Sequence, residues 1–426
     1  MKLESYWLDS APRFQPQTQE LPAKADVVVI GGGFTGLSAA LALARKGASV
    51  VVLEAGNLAS EASGRNGGHV NNGLAVDYAG LAAKLGADRA RAMYRSYDAA
   101  VDTVERIIGQ EGIACDFKRN GKLKLASKPE HYEALARTYE QLRANVDPDV
   151  ELFDASQVRD EARSDSFHGG LLQRKSGQMH MGRFAAGLAG AAERHGARIF
   201  QQAAVSGWER SGSGFRVHSA RGSVSASQVL VATGTTRHGP FSTFGYWRRR
   251  IVPIGSFIVV TEPLAPEIAA MLLPGRRTYV TTANLHNYFR LTADNRIIFG
   301  GRARFAMSGI KSDQASGDIL RAALTQIFPV IKEVGIDYCW GGLVDMTRDR
   351  LPRAGERRGV YYAMGYSGHG TQMSVHMGQC MAELMNGTTG ANPWQGLPWP
   401  AIPAYFGQPW FLPVVGIYYK LKDRLR

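Results

Sequence analysis

Two apolar runs, and the small-residue stretch between them, dominate the hydrophobic pattern of the chain. Val27-Val28-Val29-Ile30 and Val50-Val51-Val52-Leu53 each read as a buried strand. Between them Leu37-Ser38-Ala39-Ala40-Leu41-Ala42-Leu43-Ala44 reads as a helix, ended by Lys46-Gly47. The first strand enters that helix through Gly31-Gly32-Gly33-Phe34-Thr35-Gly36, and the second strand ends in Glu54. Each part has a task in holding a dinucleotide. Gly31 allows the tight turn, Gly33 lets backbone approach a pyrophosphate, and Gly36 lets the helix pack closely on the strand. The pyrophosphate then meets the free N–H groups and positive dipole of a helix N-terminus. Glu54 is placed to accept hydrogen bonds from ribose hydroxyls. A bare GxGxxG is a weak signal, but here strand, glycines, helix, second strand and acid all stand at the required distances.

Downstream the period changes. Residues 78–112 carry Leu81, Leu85, Met93, Val101, Val104 and Ile108 mostly at three- and four-residue intervals, which predicts helices. Gly121-Lys122-Leu123-Lys124-Leu125 alternates like a strand, and residues 129–145 predict an amphipathic helix with Ala134, Leu135, Tyr139 and Leu142 on one side. A small-residue helix, Phe184-Ala185-Ala186-Gly187-Leu188-Ala189, stops at His195-Gly196. Short strands follow at 205–208, at Phe215-Arg216-Val217-His218 and at Val229-Leu230-Val231-Ala232, with Gly234 close behind.

A second strand-rich block, residues 251–305, contains Phe257-Ile258-Val259-Val260, Thr278-Tyr279-Val280 and a hairpin. The hairpin runs from Tyr288-Phe289-Arg290-Leu291-Thr292 through Ala293-Asp294-Asn295 to Arg296-Ile297-Ile298-Phe299. Strand periodicity sets Tyr288, Arg290 and Thr292 on one face and Phe289 and Leu291 on the other. That polar face suits a roof over a bound ligand and a solvated exterior equally well. Near the end, Val360-Tyr361-Tyr362-Ala363-Met364 reads as a strand and Gly365-Tyr366-Ser367-Gly368-His369-Gly370 as a turn. A helix over residues 371–385 follows, stopped by Asn386-Gly387, and Ser374, Gly378 and Ala382 recur along it at a spacing that permits close packing. Two glycine turns, each feeding a helix N-terminus, can offer backbone donors to two electron-rich groups.

At 426 residues the chain is too long for one small core, and two interleaved domains are expected. Cys115, Cys339 and Cys380 are widely spaced and odd in number, which gives neither a disulfide framework nor a metal-ligand cluster. The first residues lack the pattern of a signal peptide and no apolar run approaches a membrane span, so a reducing, cytoplasmic setting is the default. The net charge of +13 includes Arg248-Arg249-Arg250 and a scatter of Arg348, Arg350, Arg353, Arg357 and Arg358. No nucleic-acid-binding signature accompanies it, which leaves solvated surface, anionic ligands and an anionic membrane.

Between Glu54 and His69 runs Ala55-Gly56-Asn57-Leu58-Ala59-Ser60-Glu61-Ala62-Ser63-Gly64-Arg65-Asn66-Gly67-Gly68. Such a run lays bare backbone and short hydroxyls along an extended ligand, or forms a surface loop. Its Ala62-Ser63-Gly64-Arg65-Asn66-Gly67-Gly68 segment resembles the D-amino-acid oxidase-like flavoprotein family, most of all the branch of γ-glutamylputrescine and pipecolate oxidases. The resemblance runs from Ser5-Tyr6-Trp7 to about Gly387 and implies FAD rather than NAD. It implies an α/β plus α+β fold, in which a Rossmann-like FAD-binding domain of the glutathione-reductase type is interleaved with an antiparallel-sheet substrate domain. The FAD-binding domain is expected over residues 1–80, 155–235 and 336–395, the substrate or cap domain over 81–154 and 236–335, and a tail over 396–426.

For the cofactor, the resemblance implies contacts from Gly31, Gly33, Phe34, Thr35, Gly36, Glu54 and Ala55 at the first turn. Ser63, Gly64, Arg65, Asn66, Gly67 and Gly68 follow along the loop. Ala232, Thr233 and Gly234 are implied beside the pyrophosphate, and Val205 at the adenine, where an ordinary strand residue is the plainer reading. Gly368, His369, Gly370 and Thr371 are implied at the C2 carbonyl side of the isoalloxazine, where reduction leaves negative charge. Sarcosine oxidases attach their flavin through a Cys ahead of a Thr-x-Asp motif. Here that motif is Thr347-Arg348-Asp349, Gly342 takes the linking position and Cys339 is out of register, so non-covalent FAD is expected.

The chemistry implied is hydride transfer from an amine or amino acid to flavin N5, giving an imine. A secondary or cyclic amine such as pipecolate, or a γ-glutamyl-amine, fits. The reacting amine must be neutral, and a desolvated pocket is enough to make it so. His69, Tyr288, Arg290 and His369 are the polar residues expected near the ring, with Arg290 as the fork for a substrate carboxylate. Oxygen is the expected acceptor; a dehydrogenase that reduces a quinone and a non-catalytic electron-transfer module are the alternatives. The tail, Tyr405-Phe406-Gly407-Gln408-Pro409-Trp410-Phe411-Leu412-Pro413, leads to Val414, Ile417, Leu421 and Leu425 at helical spacing among basic residues. It suits either packing back on the fold or lying on an anionic membrane.

Overall fold

The strand Lys24–Ile30 is the centre of the molecule, with Val28 and Val29 wholly buried. The structure, a computed structural model, describes all residues except 18–19, 236–237, 284–285, 302–313, 389, 391, 415, 417 and 419–426. Lys24–Ile30 pairs in parallel with Gly222–Val231 on one side and Val50–Leu53 on the other. Arg198–Phe200 extends the sheet beyond Val50–Leu53, and Val360–Met364 and then Arg353–Arg357 extend it beyond Gly222–Val231. A hairpin, Val205–Ser211 and Gly214–Ser219, folds antiparallel onto Gly222–Val231. This is the Rossmann-like sheet that the apolar runs predict.

The helix Phe34–Arg45 is buried from Phe34 to Ala44 because helices cover both of its flanks. Its glycine and alanine surface allows this. A Cβ on Gly36 would overlap Gly31 O, and one on Gly378, in the helix Gly370–Met385, would lie 2.5 Å from Thr35 O. The spacing of Ser374, Gly378 and Ala382 therefore does what the sequence suggests: the helices that follow the two glycine turns lie side by side.

The second sheet runs Ile336–Met346, Val252–Thr261, Ile297–Gly301, Tyr288–Leu291, Thr278–Thr281, Lys122–Leu125, Gly170–Gln173, Glu151–Phe153. Every neighbouring pair is antiparallel except Thr278–Thr281 with Lys122–Leu125. One face packs Leu123, Leu125, Tyr279, Phe289, Leu291 and Phe299 into a separate core with Leu320, Leu324 and Phe328. The other face looks back toward the glycine turns. The mixed α/β class is as expected, but three boundaries differ. Gly170–Gln173 and Ile336–Met346 belong to the second sheet, and the helix Ala87–Glu111 packs on Gly370–Met385 within the first core. Local alternation shows that a strand has a buried face, not which sheet receives it. Among the described residues no helix is long and apolar enough to cross a membrane.

Candidate active site

A cavity of about 1370 Å³ runs from the first glycine turn to the inner face of the second sheet. This exceeds the roughly 300–1,000 Å³ of a drug-sized ligand site and suits an extended dinucleotide with substrate space beyond it. At its nucleotide end lie Gly31, Gly33, Phe34, Thr35, Glu54, Ala55, Val205, Ala232, Thr233 and Gly234. Gly31 has φ 111°, and a side chain there would press on Ala232 O at 2.6 Å. A Cβ on Gly33 would meet only Ser63 Oγ at 3.0 Å, so this backbone is bare toward the cavity. Glu54 Oε2 accepts from Gly32 N (2.7 Å) and Oε1 from Gly56 N (2.8 Å), which fixes the carboxylate at the strand tip.

The middle wall is the 59–69 loop, from which Ser63, Arg65, Asn66, Gly67 and His69 line the cavity. The loop is tied from behind. Trp7 Nε1 donates to Asn66 O (2.6 Å), Ser5 Oγ to Gly64 O (2.7 Å) and Trp340 Nε1 to Arg65 O (2.9 Å). Arg65 donates to Ser60 O (2.7 Å) and Gly341 O (3.0 Å), and Ser63 Oγ accepts from Phe34 N (3.0 Å).

Three residues expected at the cofactor lie behind this wall. Gly36 serves helix packing alone, and Gly64 has no room for a Cβ because Ala59 O and Leu8 press against it. Gly68, at φ 78°, backs directly onto the Arg290 guanidinium. Arg290 itself is 3% exposed and does not line the cavity. Its Nε donates to Gly67 O (3.0 Å), its two terminal nitrogens to Met179 O (2.8 Å), Leu291 O (3.1 Å) and Gln178 Oε1 (3.2 Å), and it lies 5.0 Å over the Trp7 ring. Strand alternation placed Arg290 on the correct face of the sheet, but the loop carbonyls consume its fork, and no substrate carboxylate is left to it. It is a strut for the loop.

The redox end is built by Gly342, Gly368, His369, Gly370 and Thr371 facing His69 and Tyr288. The turn before Gly370–Met385 needs positive φ at Gly365 (80°), Ser367 (54°) and Gly368 (89°). Asp345, absent from the sequence-based site, holds that turn. Its Oδ2 accepts from Gly365 N (2.8 Å) and Tyr366 N (3.3 Å), and its carbonyl accepts from Ser367 N (3.1 Å). Burial pushes its carboxyl up to about 6, and the backbone donors pull the other way. Thr35 Oγ1 and Tyr366 OH, 2.7 Å apart, join the two glycine turns directly.

His69 Nε2 and His369 Nδ1 are buried with no hydrogen-bond partner among the described residues. Burial lowers the pKa of His369 to about 3, and burial with Arg290 and Lys122 lowers that of His69 well below 6.5. Both imidazoles are neutral at neutral pH. Tyr288 stands edge-on to His69 at 5.5 Å, with its hydroxyl 3.2 Å from Ser256 Oγ. Lys122, Lys124, Asp77 and Arg350 complete the far wall, unforeseen although the Lys-Leu-Lys-Leu alternation already put both lysines on one face. Bare backbone at Gly33, uncommitted ring nitrogens at the other end and the length between them fit FAD. Among the described residues no cysteine lines the cavity, and Cys339 is buried in the second core.

Comparison with known proteins agrees with this geometry. The sequence model of the family described as FAD dependent oxidoreductase matches residues 26–384. The chain belongs to this family. This FAD-dependent oxidoreductase is 33% identical over 427 residues to γ-glutamylputrescine oxidoreductase of Escherichia coli, covering 99% of this chain and 98% of that one. It is 33% identical over 391 residues to the probable oxidoreductase OrdL of Haemophilus influenzae, covering 90% and 88%. Among solved structures, glycine oxidase of Geobacillus kaustophilus superposes with a TM-score of 0.72 at 22% identity, over 87% of this chain and 96% of that chain, and shows the shared fold.

Proposed function

We propose that this oxidoreductase oxidises a primary or secondary amine, in the first instance a γ-glutamyl-amine. The observation that carries the reading is likeness along essentially the whole chain to γ-glutamylputrescine oxidoreductase, joined to a cavity one wall of which carries Lys122, Lys124 and Arg350. Bound FAD supplies the hydride acceptor, and the amine leaves as an imine that water hydrolyses. The chain's own part is placement and electrostatics. An amine donates hydride only when neutral, and the charge of Lys122, which acts on both His69 and His369, favours the neutral form. Nδ1 of His69 takes the Asn71 amide N–H (3.4 Å), so Nε2 of the neutral ring carries the proton and can donate, while the uncommitted Nδ1 of neutral His369 can accept an N–H and Tyr288 and Ser256 close the roof.

With no cysteine facing the cavity, the FAD is held without a covalent bond through sulfur. Oxygen is the proposed acceptor. A quinone is the second reading, favoured by the exposed Phe406 (62%), Trp410 (61%) and Val414 (70%) beside Arg249, which suit an anionic membrane. Against this, Tyr405 is buried with its hydroxyl on Ile251 O (2.8 Å), so the tail as far as Leu412 packs on the fold. Ile417, Leu421 and Leu425, on which the helical spacing rests, lie outside the described residues. The test is anaerobic bleaching of the flavin with γ-glutamylputrescine, pipecolate and 2-hydroxy acids. Bleaching by hydroxy acids alone overturns the amine reading, and no bleaching by any donor favours an electron-transfer module. Peroxide on re-oxidation in air supports oxygen as acceptor, and its absence supports the quinone.

A further inference from the structure

Two lysines on one face of an interior strand are an expensive arrangement unless something uses them. Lys122 and Lys124 turn into the cavity, while Leu123 and Leu125, at 0% exposure, turn into the second core. The Lys122 ammonium is engaged, donating to Asn72 O at 2.8 Å. Lys124 has no hydrogen bond or ion pair among the described residues. Its surface is accessible, yet burial lowers its pKa, with Arg350 acting the same way and Asp77 opposing both. Lys124 lines the cavity with accessible surface, so a ligand in the cavity can reach its ammonium.

Arg350 and Asp77 share that end of the cavity. Arg350 sits at φ 58°, a conformation disfavoured for a side-chain-bearing residue, and donates to Ala75 O at 3.3 Å. Asp77 caps the helix Tyr78–Leu85 by accepting from Gly80 N through Oδ2 at 2.7 Å, which leaves Oδ1 uncommitted. None of the three pairs with another. His69 feels the charge of Lys122, whereas His369 feels Lys122, Lys124 and Arg350, so the cations lie toward the His369 side of the cavity. Two cations and one acid on one wall match a group that carries a carboxylate and an ammonium on one carbon. A simple anion would satisfy Lys124 and Arg350 but face Asp77.

We propose that Lys124, Arg350 and Asp77 form a subsite for a distal α-amino-acid head, its carboxylate on Lys124 and Arg350 and its ammonium on Asp77. The proposal rests on the amine-oxidising reading above and names how that substrate is selected. The probe is γ-glutamyl-n-butylamide, which carries the head but lacks the terminal amine at which oxidation is proposed. Its binding to the FAD-loaded protein is read as a change in the flavin absorption spectrum. Lys124→Met should weaken binding by about ten- to a hundredfold, the loss of one charge-assisted pair, and Lys124→Arg should restore most of it. Asp77→Asn, which keeps the helix cap, should weaken γ-glutamyl-n-butylamide but not glutaryl-n-butylamide, which lacks the ammonium. Equal affinity of wild type for γ-glutamyl-n-butylamide and N-butylacetamide overturns the subsite, as does a Lys124→Met variant that binds all of these alike. If the probe binds through Lys124 while no amine bleaches the flavin, the amine reading falls and the subsite stands. If γ-glutamylputrescine is oxidised equally well by Lys124→Met, the subsite falls and the amine reading stands.

Discussion

Replacing Gly378 by Ala tests whether the two glycine turns work as a single cradle. The added Cβ would lie 2.5 Å from Thr35 O and 2.8 Å from both Ala39 N and Ser38 Cβ. Two of those atoms are main chain of the helix Phe34–Arg45, buried from Phe34 to Ala44, so no side chain can swing away to make room. Relaxed contacts need roughly 3.5 Å, and the helices must therefore part by about 1 Å. Overpacking of this kind costs about 1–3 kcal/mol. The same parting pulls Thr35 Oγ1 from Tyr366 OH, now at 2.7 Å, and so separates the pyrophosphate turn from the ring turn. FAD must then restore the closed spacing from its own binding energy. At about 1.4 kcal/mol per tenfold, affinity should fall by roughly five- to 150-fold. The assay is fluorescence titration of apoprotein with FAD, paired with urea unfolding. Gly109→Ala, on Ala87–Glu111 where a Cβ meets nothing within 4 Å, is the control and should stabilise by about 0.5–1 kcal/mol. A Gly378→Ala protein that binds FAD as tightly as wild type would refute the single-cradle argument.

Gly33→Val should purify colourless, since the branched side chain fills bare backbone at the nucleotide end. Wild type should release its yellow colour on acid or heat, and flavin retained by the denatured chain would show a covalent link. Arg290→Met should lower FAD retention and the urea midpoint together, because Gly67 O and Met179 O lose their donor; a selective rise in KM with stability unchanged would return the residue to the substrate. Acid should destabilise the fold. Burial holds His180 and His369 at about 3 and His376 at about 4, against an ordinary 6.5, so the unfolded chain binds more protons between those limits. Their contribution is complete above about pH 6.5 and is lost as pH falls, whereas Asp345, raised to about 6, loses stability as pH rises through about 4 to 6. Three histidines outweigh one carboxyl, and a urea midpoint no lower at about pH 5 than at about pH 7 would contradict the balance.

The nucleotide half was legible because its logic is local. Gly31, Gly33, Gly36 and Glu54 act within one strand–turn–helix–strand unit, where spacing nearly fixes position. The Arg290 assignment failed for the opposite reason. Alternation gives the face of a strand, but the carbonyls of Gly67 and Met179 that occupy the guanidinium come from segments more than a hundred residues away in sequence. Asp345 was invisible for the same cause, since the amides it gathers belong to a turn twenty residues on. Gly64 and Gly68 show that a glycine in a binding loop can be required by what lies behind it. The Lys-Leu-Lys-Leu alternation gives Lys122 and Lys124 one face, but alternation alone does not tell a cavity face from a solvated one.

The ties behind the 59–69 loop also set an order of events in time. Trp7 can reach Asn66 early in synthesis, but Trp340, Gly341, Asp345 and Tyr366 complete the cradle from the last quarter of the chain. Until those residues leave the ribosome, the helix Phe34–Arg45 lacks the cover of Gly370–Met385 on one flank and the pyrophosphate turn has no second wall. Contacts this distant in sequence close slowly, because loop entropy is lost before they form. A ligand that binds only the closed form holds shut what the chain assembles last.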